Sequence, residues 1–537
     1  MTNLENHRIE VSTVGDFLLQ RVDRFGDRNL LIFPQERVSY KDFAIDALTY
    51  AKSLRAHGIG SGDAVGILMP NCMAYLKLLV AANFLGAVAV PMNARYKPPE
   101  LAYVVENADL KLICTTDQIS EYADFAQLLE TAFPDIAGST GSLSLRGAPQ
   151  LQHVVLFGQP RAGFVNGEEF VAAGSQIALD EIHHARVRVR VDQPAIMMYT
   201  SGTTAEPKGC PLSHALLVRN GINMNRERYF LDENDVFWAP LPMFHMSSIL
   251  PFLCCIDAGA AMASMLHVDA GAALAMMESE RVTVAFPSFP TVTNDLINHE
   301  RFASTDLSAL RRINNVAPIE VLRRFAKAFP QAVQTGAYGL TEAGGVICFN
   351  HPDESEEERL YTCGKPFPGI EVQITDPERK VAQPLGERGE MWIKGYSVFD
   401  GYHKSPEKNA ESFSGEWFRT GDLCSVTETG AVCYHGRIKD MLKVGGENVA
   451  ALEIESHLAT HPAIALAQVI GRPDERLLEV PIAFVELNQG AQVNANEIIE
   501  FCRAALASFK VPRAVHFVTE WPMSSTKIQK FKLVEPD

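Results

Sequence analysis

No Cys-x-x-Cys pair and no cysteine–histidine spacing of the zinc-binding kind occurs among the ten cysteines of this 537-residue sequence. Neighbours such as Cys254 and Cys255, or Cys424 and Cys433, fit buried thiols better than metal ligands. A reducing cytosol is the expected compartment. Positive charge is also in short supply: 48 Lys and Arg stand against 65 Asp and Glu, a net −17 at pH 7. A chain so acidic has no general attraction for phosphate backbones, so nucleic acid is not an expected partner. A single nucleotide can still bind where local groups oppose the net field. Residues 1–10 are polar and lack the apolar core of a signal peptide. Nor is there a clean membrane-spanning run. The stretch 249–266 is interrupted by Pro251, Asp257 and Gly259, and 78–92 contains Asn83 and is too short. No repeat of fixed period is visible.

What is present is an ordinary globular composition, 47% apolar and 21% charged, with length for several domains. Apolar residues at helical spacing predict a helix over 11–25 and another over 75–85. Short apolar runs predict strands at 30–33, 63–69, 88–91, 111–114 and 153–157. Such alternation argues for a large α/β domain with mostly parallel sheets covered by helices. After about residue 436 the pattern changes. A helix over 447–460, strands at 466–470 and 481–487, and a helix over 496–507 form a compact α+β block. The expected division is an N-terminal domain of 1–438 and a small C-terminal domain of 439–537. The charged strip Gly436-Arg437-Ile438-Lys439-Asp440 joins them.

The sharpest local signal is Tyr199-Thr200-Ser201-Gly202-Thr203-Thr204-Ala205-Glu206-Pro207-Lys208-Gly209, which follows an apolar strand at 195–198. Two glycines, four hydroxyls and a lysine can wrap a polyphosphate, through backbone N–H groups, hydroxyl donors and a point charge. It is not the common GxxxxGK[ST] loop, because Pro207 stands where that motif needs glycine. Other residues suit nucleotide chemistry but have ordinary readings when taken alone. Asp422 is an acceptor-only carboxylate suited to ribose hydroxyls, although an aspartate after glycine is commonly a turn residue. Glu342 offers hard oxygen to Mg²⁺, or caps a helix. Tyr338 offers a flat face to an adenine, or packs in a core. His245, between Phe244 and Met246, reads alone as a core histidine.

Together these pieces resemble the adenylate-forming superfamily of acyl-CoA synthetases, luciferases and peptide-synthetase adenylation domains. The loop at 199–209 is similar to its phosphate loop, and Pro242-Met243-Phe244-His245 to its aromatic-histidine segment. Tyr338-Gly339-Leu340-Thr341-Glu342 resembles its YGxTE element, and Trp417-Phe418-Arg419-Thr420-Gly421-Asp422 its W-x-x-TGD element. Gly436 to Asp440, with Gly445-Gly446-Glu447-Asn448-Val449, resembles its hinge and following loop. The resemblance implies a carboxylic acid–CoA ligase that uses ATP, Mg²⁺ and coenzyme A, with a small C-terminal domain that rotates between two half-reactions. It implies catalytic roles for Lys527, His245, Glu342 and Lys439, and metal contacts from Glu342 and Thr204. Nucleotide and CoA contacts would come from Thr200, Ser201, Gly202, Thr203, Thr204, Lys208, Asn315, Ala317, Tyr338, Gly339, Thr341, Asp422, Arg437, Lys443, Gly445 and Gly446.

Two departures stand out. Asn314-Asn315-Val316-Ala317-Pro318 occupies the place of a Gly-rich turn, and valine does not tolerate the left-handed backbone. That turn is therefore expected to differ, with Asn315 facing the adenine or the acyl group. The usual Thr-Gly-Lys reads Thr526-Lys527, one residue short, which shifts the lysine's register. The likeness is strongest to ligases of free acids, including carnitine-type CoA ligases. Small and apolar residues expected at the acid pocket (Met246, Ser247, Ser248, Ile249, Gly336, Ala337) point to a medium-chain, alicyclic or steroid-side-chain acid. The rival readings are an acyl-AMP ligase that loads a carrier protein and a catalytically idle nucleotide-binding protein. A homodimer is compatible with the sequence and not read from it.

Overall fold

The computed structural model describes residues 11–200, 206–444, 447–523 and 528–534. The first helix, Val14–Phe25, starts three residues later than its periodicity suggests because the Thr13 side chain accepts from the Asp16 N–H and caps it. It buries Phe17 and Leu18 against the large core. Truncating a fully buried Phe of this kind costs about 3–5 kcal/mol.

Two large sheets dominate. One orders its strands Val333–Thr335, Arg312–Asn315, Val284–Ser288, Val236–Trp238, Ala261–Ala263, Asn29–Phe33 and Glu36–Ser39. All its pairs are parallel except the last, between Asn29–Phe33 and Glu36–Ser39. The other orders Val165–Asn166, His153–Phe157, Leu110–Thr116, Ala64–Leu68, Val88–Pro91, Pro194–Thr200 and Lys208–Ser213. It too is parallel until its final antiparallel pair. Strand Ala64–Leu68 is buried at every position, as a strand covered on both faces must be. In such sheets ligands collect beyond the carboxyl ends of the strands. Thr200 and Asn315 each stand at one of those ends.

The two membrane-like stretches are core elements. The first becomes the end of helix Met73–Phe84 and strand Val88–Pro91, with the buried Asn83 amide donating to the Ala195 carbonyl at 2.7 Å. The second becomes helix Met246–Ala258 and strand Ala261–Ala263, with Asp257 paired to Arg21 at 3.1 Å and Arg226 at 2.6 Å. Among the described residues no helix is long and apolar enough to cross a membrane.

A third, antiparallel sheet, not separated out in the sequence, holds Ile370–Thr375, Gly389–Gly395, Phe413–Ser414, Trp417–Val426 and Val432–Arg437. The chain leaves it through one 3₁₀ turn, Ile438–Asp440, and enters the C-terminal sheet at Met441–Val444. That smaller sheet adds Glu447–Ala450, Ile464–Asp474, Leu478–Leu487 and Ala514–Phe517. The expected helix over 447–460 is corrected here. Its first four residues are a strand, because Leu442 and Val449 face each other across the antiparallel pair and are both buried. The helix proper is Ala451–Leu458. The last long helix, Ala495–Ala505, is fixed by a capping box between Asn494 and Glu497.

Candidate active site

Antiparallel pairing sets the phosphate-loop flanks: Thr200 faces Lys208 and Tyr199 faces Gly209, so the two flanking strands end and begin side by side. The Tyr199 hydroxyl donates to Asn107 Oδ1 at 2.7 Å and braces the outgoing strand. Ser201, Gly202, Thr203 and Thr204 lie outside the described residues, as do Gly445, Gly446 and Lys527.

Lys208 projects its ammonium over the Tyr402 ring, 5.3 Å from the centroid. Burial pulls its pKa below the ordinary lysine range, nearby Lys408 adds to this, and Glu342 opposes it. Glu342 itself sits at the tip of a reversal, because Ala337–Leu340 pairs antiparallel with Gly345–Phe349 around the turn Thr341–Ala343. Thr341 opens that turn and its carbonyl accepts from the Gly344 N–H at 2.9 Å. Gly344 has φ +64, and a Cβ there would come within 2.1 Å of the Leu216 side chain, so only glycine closes the reversal. Gly339 is equally constrained: a Cβ would lie 2.2 Å from the Gly345 carbonyl oxygen. The Tyr402 hydroxyl donates to Glu342 Oε1 at 2.8 Å. One tyrosine thus contacts both the loop lysine and the turn carboxylate.

The second half of the site is a buried acid between two partners. Asp422 is 2% exposed. The Tyr338 hydroxyl donates to its Oδ2 at 2.5 Å, and Arg437 Nε approaches its Oδ1 at 2.9 Å. Asp422 and Arg437 face each other in strand register, which is why the pair forms. Burial pulls the Arg437 guanidinium down, but Asp422 and the neighbouring Tyr434 and Tyr338 more than offset this and hold it above its ordinary range. Burial raises the Tyr338 phenol well above its usual value, and Asp422 raises it further. Tyr338 is 7% exposed with its ring 6.0 Å from that of Tyr434. Its hydroxyl therefore holds Asp422 in place.

The remaining residues are distributed around this centre. His245 occupies the N-cap of helix Met246–Ala258 with extended backbone, φ −126, and its ring lies 4.8 Å from Phe244. In the first turn of that helix Ser248 is fully buried, and its hydroxyl has no hydrogen-bond partner among the described residues. Lys439 lies in the 3₁₀ turn between the sheets, where burial and then Arg437 lower its pKa. Lys443 is exposed on the next strand, its backbone N–H bonded to Glu479 Oε2 at 2.6 Å.

Asn315 departs from its expected orientation. It is fully buried, its Oδ1 accepts from Thr293 Oγ1 at 2.6 Å and its Nδ2 donates to Gln334 Oε1 at 3.0 Å. Both ends of the side-chain amide are engaged inside the sheet, so it is not turned toward a nucleotide or acyl group. Val316 beside it is 46% exposed and Ala317 is partly exposed. Valine's intolerance is respected: the positive φ nearby falls on Ser288, +53, whose carbonyl accepts the Val316 N–H at 2.7 Å. Sequence reasoning missed Tyr402, Tyr434 and Asn107. A tyrosine after Gly401 is an unremarkable pair in sequence, and only the fold brings it to Glu342.

The chain matches the AMP-binding enzyme family over residues 18–403 and the AMP-binding enzyme C-terminal domain over 453–527. It is 30% identical to the medium-chain acyl-CoA ligase ACSF2, mitochondrial, of Danio rerio, over 99% of this chain and 89% of that protein. The corresponding human protein is also 30% identical, over 97% of this chain and 87% of its own. The anthranilate CoA ligase AuaEII, solved with anthranoyl-AMP, superposes with a TM-score of 0.85 at 26% identity, covering 97% of this chain and 96% of that one. ATP-bound MatB from Rhodopseudomonas palustris gives a TM-score of 0.81 at 26% identity, covering 96% and 97%. With its parallel sheets, its smaller C-terminal domain and these matches along nearly its whole length, the chain belongs to the AMP-binding enzyme family and is an adenylate-forming acyl-CoA synthetase.

Proposed function

We propose that this enzyme joins an apolar medium-chain or alicyclic carboxylic acid to coenzyme A through an acyl-adenylate. The observation that carries the reading is the pairing of two chemically different centres. Lys208 and Glu342 meet through Tyr402, while the Asp422 carboxyl lies between Tyr338 and Arg437. The first centre suits a triphosphate and the second a ribose.

In the first step the substrate carboxylate oxygen attacks the α-phosphorus of ATP and pyrophosphate leaves. Two anions must approach, so cations aimed at the phosphates lower the barrier. Lys208 supplies one and Lys527 is proposed to supply another. Mg²⁺ fits the donors here. Glu342 is an oxygen ligand whose Oε1 takes one phenol hydrogen bond, and no described cation lies within ion-pair distance of it. One or two carboxylates with substrate phosphates are the usual Mg²⁺ set. When bound, the ion would neutralise phosphate charge, with Thr204 as a second contact. In the second step the CoA thiolate attacks the acyl carbon and AMP leaves. The two steps need different surroundings. The 3₁₀ turn at Lys439 is the proposed hinge that exchanges the Lys527 loop for residues 443–448 beside the acyl carbon.

The acid preference rests on Met246 and Leu250 in the first turns of helix Met246–Ala258, which pack beside Gly345, and on the naming of relatives as medium-chain ligases. Ten unpaired thiols support a reducing compartment such as the cytosol. The deciding experiment is AMP formation across fatty, aryl and steroid-side-chain acids, with and without CoA. CoA-dependent AMP release with a medium-chain or alicyclic acid supports the proposal. Turnover only with a carrier protein, or none with any acid, refutes it.

A further inference from the structure

The segment 399–403 ties the two halves of the triphosphate site together, and it does so twice. Through the backbone, the Phe399 N–H donates to the Glu342 carbonyl at 2.9 Å and the His403 N–H donates to the Gly209 carbonyl at 2.9 Å. Through the side chain, Tyr402 donates to the Glu342 carboxylate at 2.8 Å and receives the Lys208 ammonium against its ring. Tyr402 is itself immobilised. It is 8% exposed, its ring meets Phe399 edge-on at 4.9 Å, and its N–H and C=O both bond the Asn409 amide, at 2.7 and 3.0 Å.

Lys208 and Glu342 feel each other electrostatically, yet they form no ion pair within 4.0 Å. A lysine and a glutamate that both contact one tyrosine in a partly buried site attract each other, and that shared partner is what they meet instead. The phenol ring satisfies the cation and the hydroxyl satisfies the anion, so each keeps its charge for a ligand. We infer that Tyr402 is a positioning residue: it is the spacer that holds Lys208 and Glu342 apart, leaving the ammonium for phosphate oxygens and the carboxylate for a divalent cation bound with them. The inference rests on the proposed function for what the ligand is, and on the geometry alone for the spacing.

The test separates the hydroxyl from the ring. Tyr402→Phe keeps the ring beside Lys208 and removes the donor to Glu342, which frees the carboxylate to swing onto the lysine. Calorimetric titration of the full chain with ATP, in Mg²⁺ and again in EDTA, reads this without any acid or turnover. Tyr402→Phe should weaken binding of the magnesium complex about tenfold, and metal-free ATP binding by a smaller factor, because the released carboxylate then competes with phosphate for Lys208. Tyr402→Leu, which removes ring and hydroxyl, should weaken both. In a Glu342→Gln background Tyr402→Phe should have no further effect on the Mg²⁺-dependent part. A Tyr402→Phe protein with wild-type Mg²⁺ dependence, or full additivity with Glu342→Gln, overturns the spacer role. If the wild type turns over no acid but binds ATP with this pattern, the ligase proposal fails and the spacer stands.

Discussion

Replacing Asp422 tests nucleotide recognition, and the structure sets the size of the effect. The carboxylate is 2% exposed, 2.5 Å from the Tyr338 hydroxyl and 2.9 Å from Arg437 Nε. Each carboxylate oxygen has two lone pairs, so a carboxylate can accept from more than one donor on each. Asp422→Ala removes the acceptor from a buried phenol, at about 1–3 kcal/mol of stability. It also strands Arg437, but that side chain is 42% exposed and can rehydrate, so the loss stays below the roughly 3–5 kcal/mol of a fully buried pair. Asp422→Asn is the cleaner probe, because it keeps an oxygen for Tyr338 and loses the charge. Losing a charged hydrogen-bond acceptor for a ligand costs about 1.5–3 kcal/mol, so the KM for ATP should rise roughly ten- to a hundredfold. Pyrophosphate release at saturating acid, across an ATP titration, measures this. A thermal melt of each variant separates it from misfolding. A folded Asp422→Asn enzyme with the wild-type ATP dependence refutes the ribose assignment.

Lys527→Ala should lower acid-dependent pyrophosphate release by about a hundredfold or more, yet still convert synthetic acyl-adenylate and CoA to thioester. Lys530 is held by Glu455 at 2.5 Å, and Glu455 also accepts the Val469 N–H, so Lys530→Ala should lower the melting temperature without that selective loss. The reverse pattern would reassign the lysine. Lys439→Pro, which fixes φ near about −65° inside the turn Ile438–Asp440, should release pyrophosphate for about one turnover and make thioester slowly. Wild-type thioester formation by the folded variant would contradict a hinge there. Burial lowers the His214 imidazole from 6.5 to about 4, and its Nδ1 accepts the Val14 N–H, which needs the neutral ring. Its contribution is therefore complete above pH 6.5 and is lost as pH falls toward 4, up to about 3 kcal/mol. His214→Gln should flatten the fall of melting temperature between pH 7 and 5, and an unchanged slope would exclude His214 from acid sensitivity.

Local pattern alone carried the α/β architecture and the switch to a smaller α+β block near residue 436, while the phosphate loop, the Glu342 turn and Asp422 are singled out by resemblance to the adenylate-forming superfamily. These features depend on side-chain period and on short strings whose chemistry is contained within them. Even there, boundaries moved where partners intervened: 447–450 reads as helix by composition but becomes a strand once Met441–Val444 lies beside it. What only the tertiary structure decided are relations between residues distant in sequence. Asn315 suits a nucleotide by its position at a strand end, but Thr293 and Gln334, from a neighbouring helix and strand, claim its amide. Asp422 reads as a lone carboxylate until Tyr338 and Arg437 fold against it. Tyr402 carried no signal, because its contacts are with Lys208 and Glu342, 194 and 60 residues before it. A string of residues encodes which groups are available, and packing alone determines which of them remain free to meet a ligand.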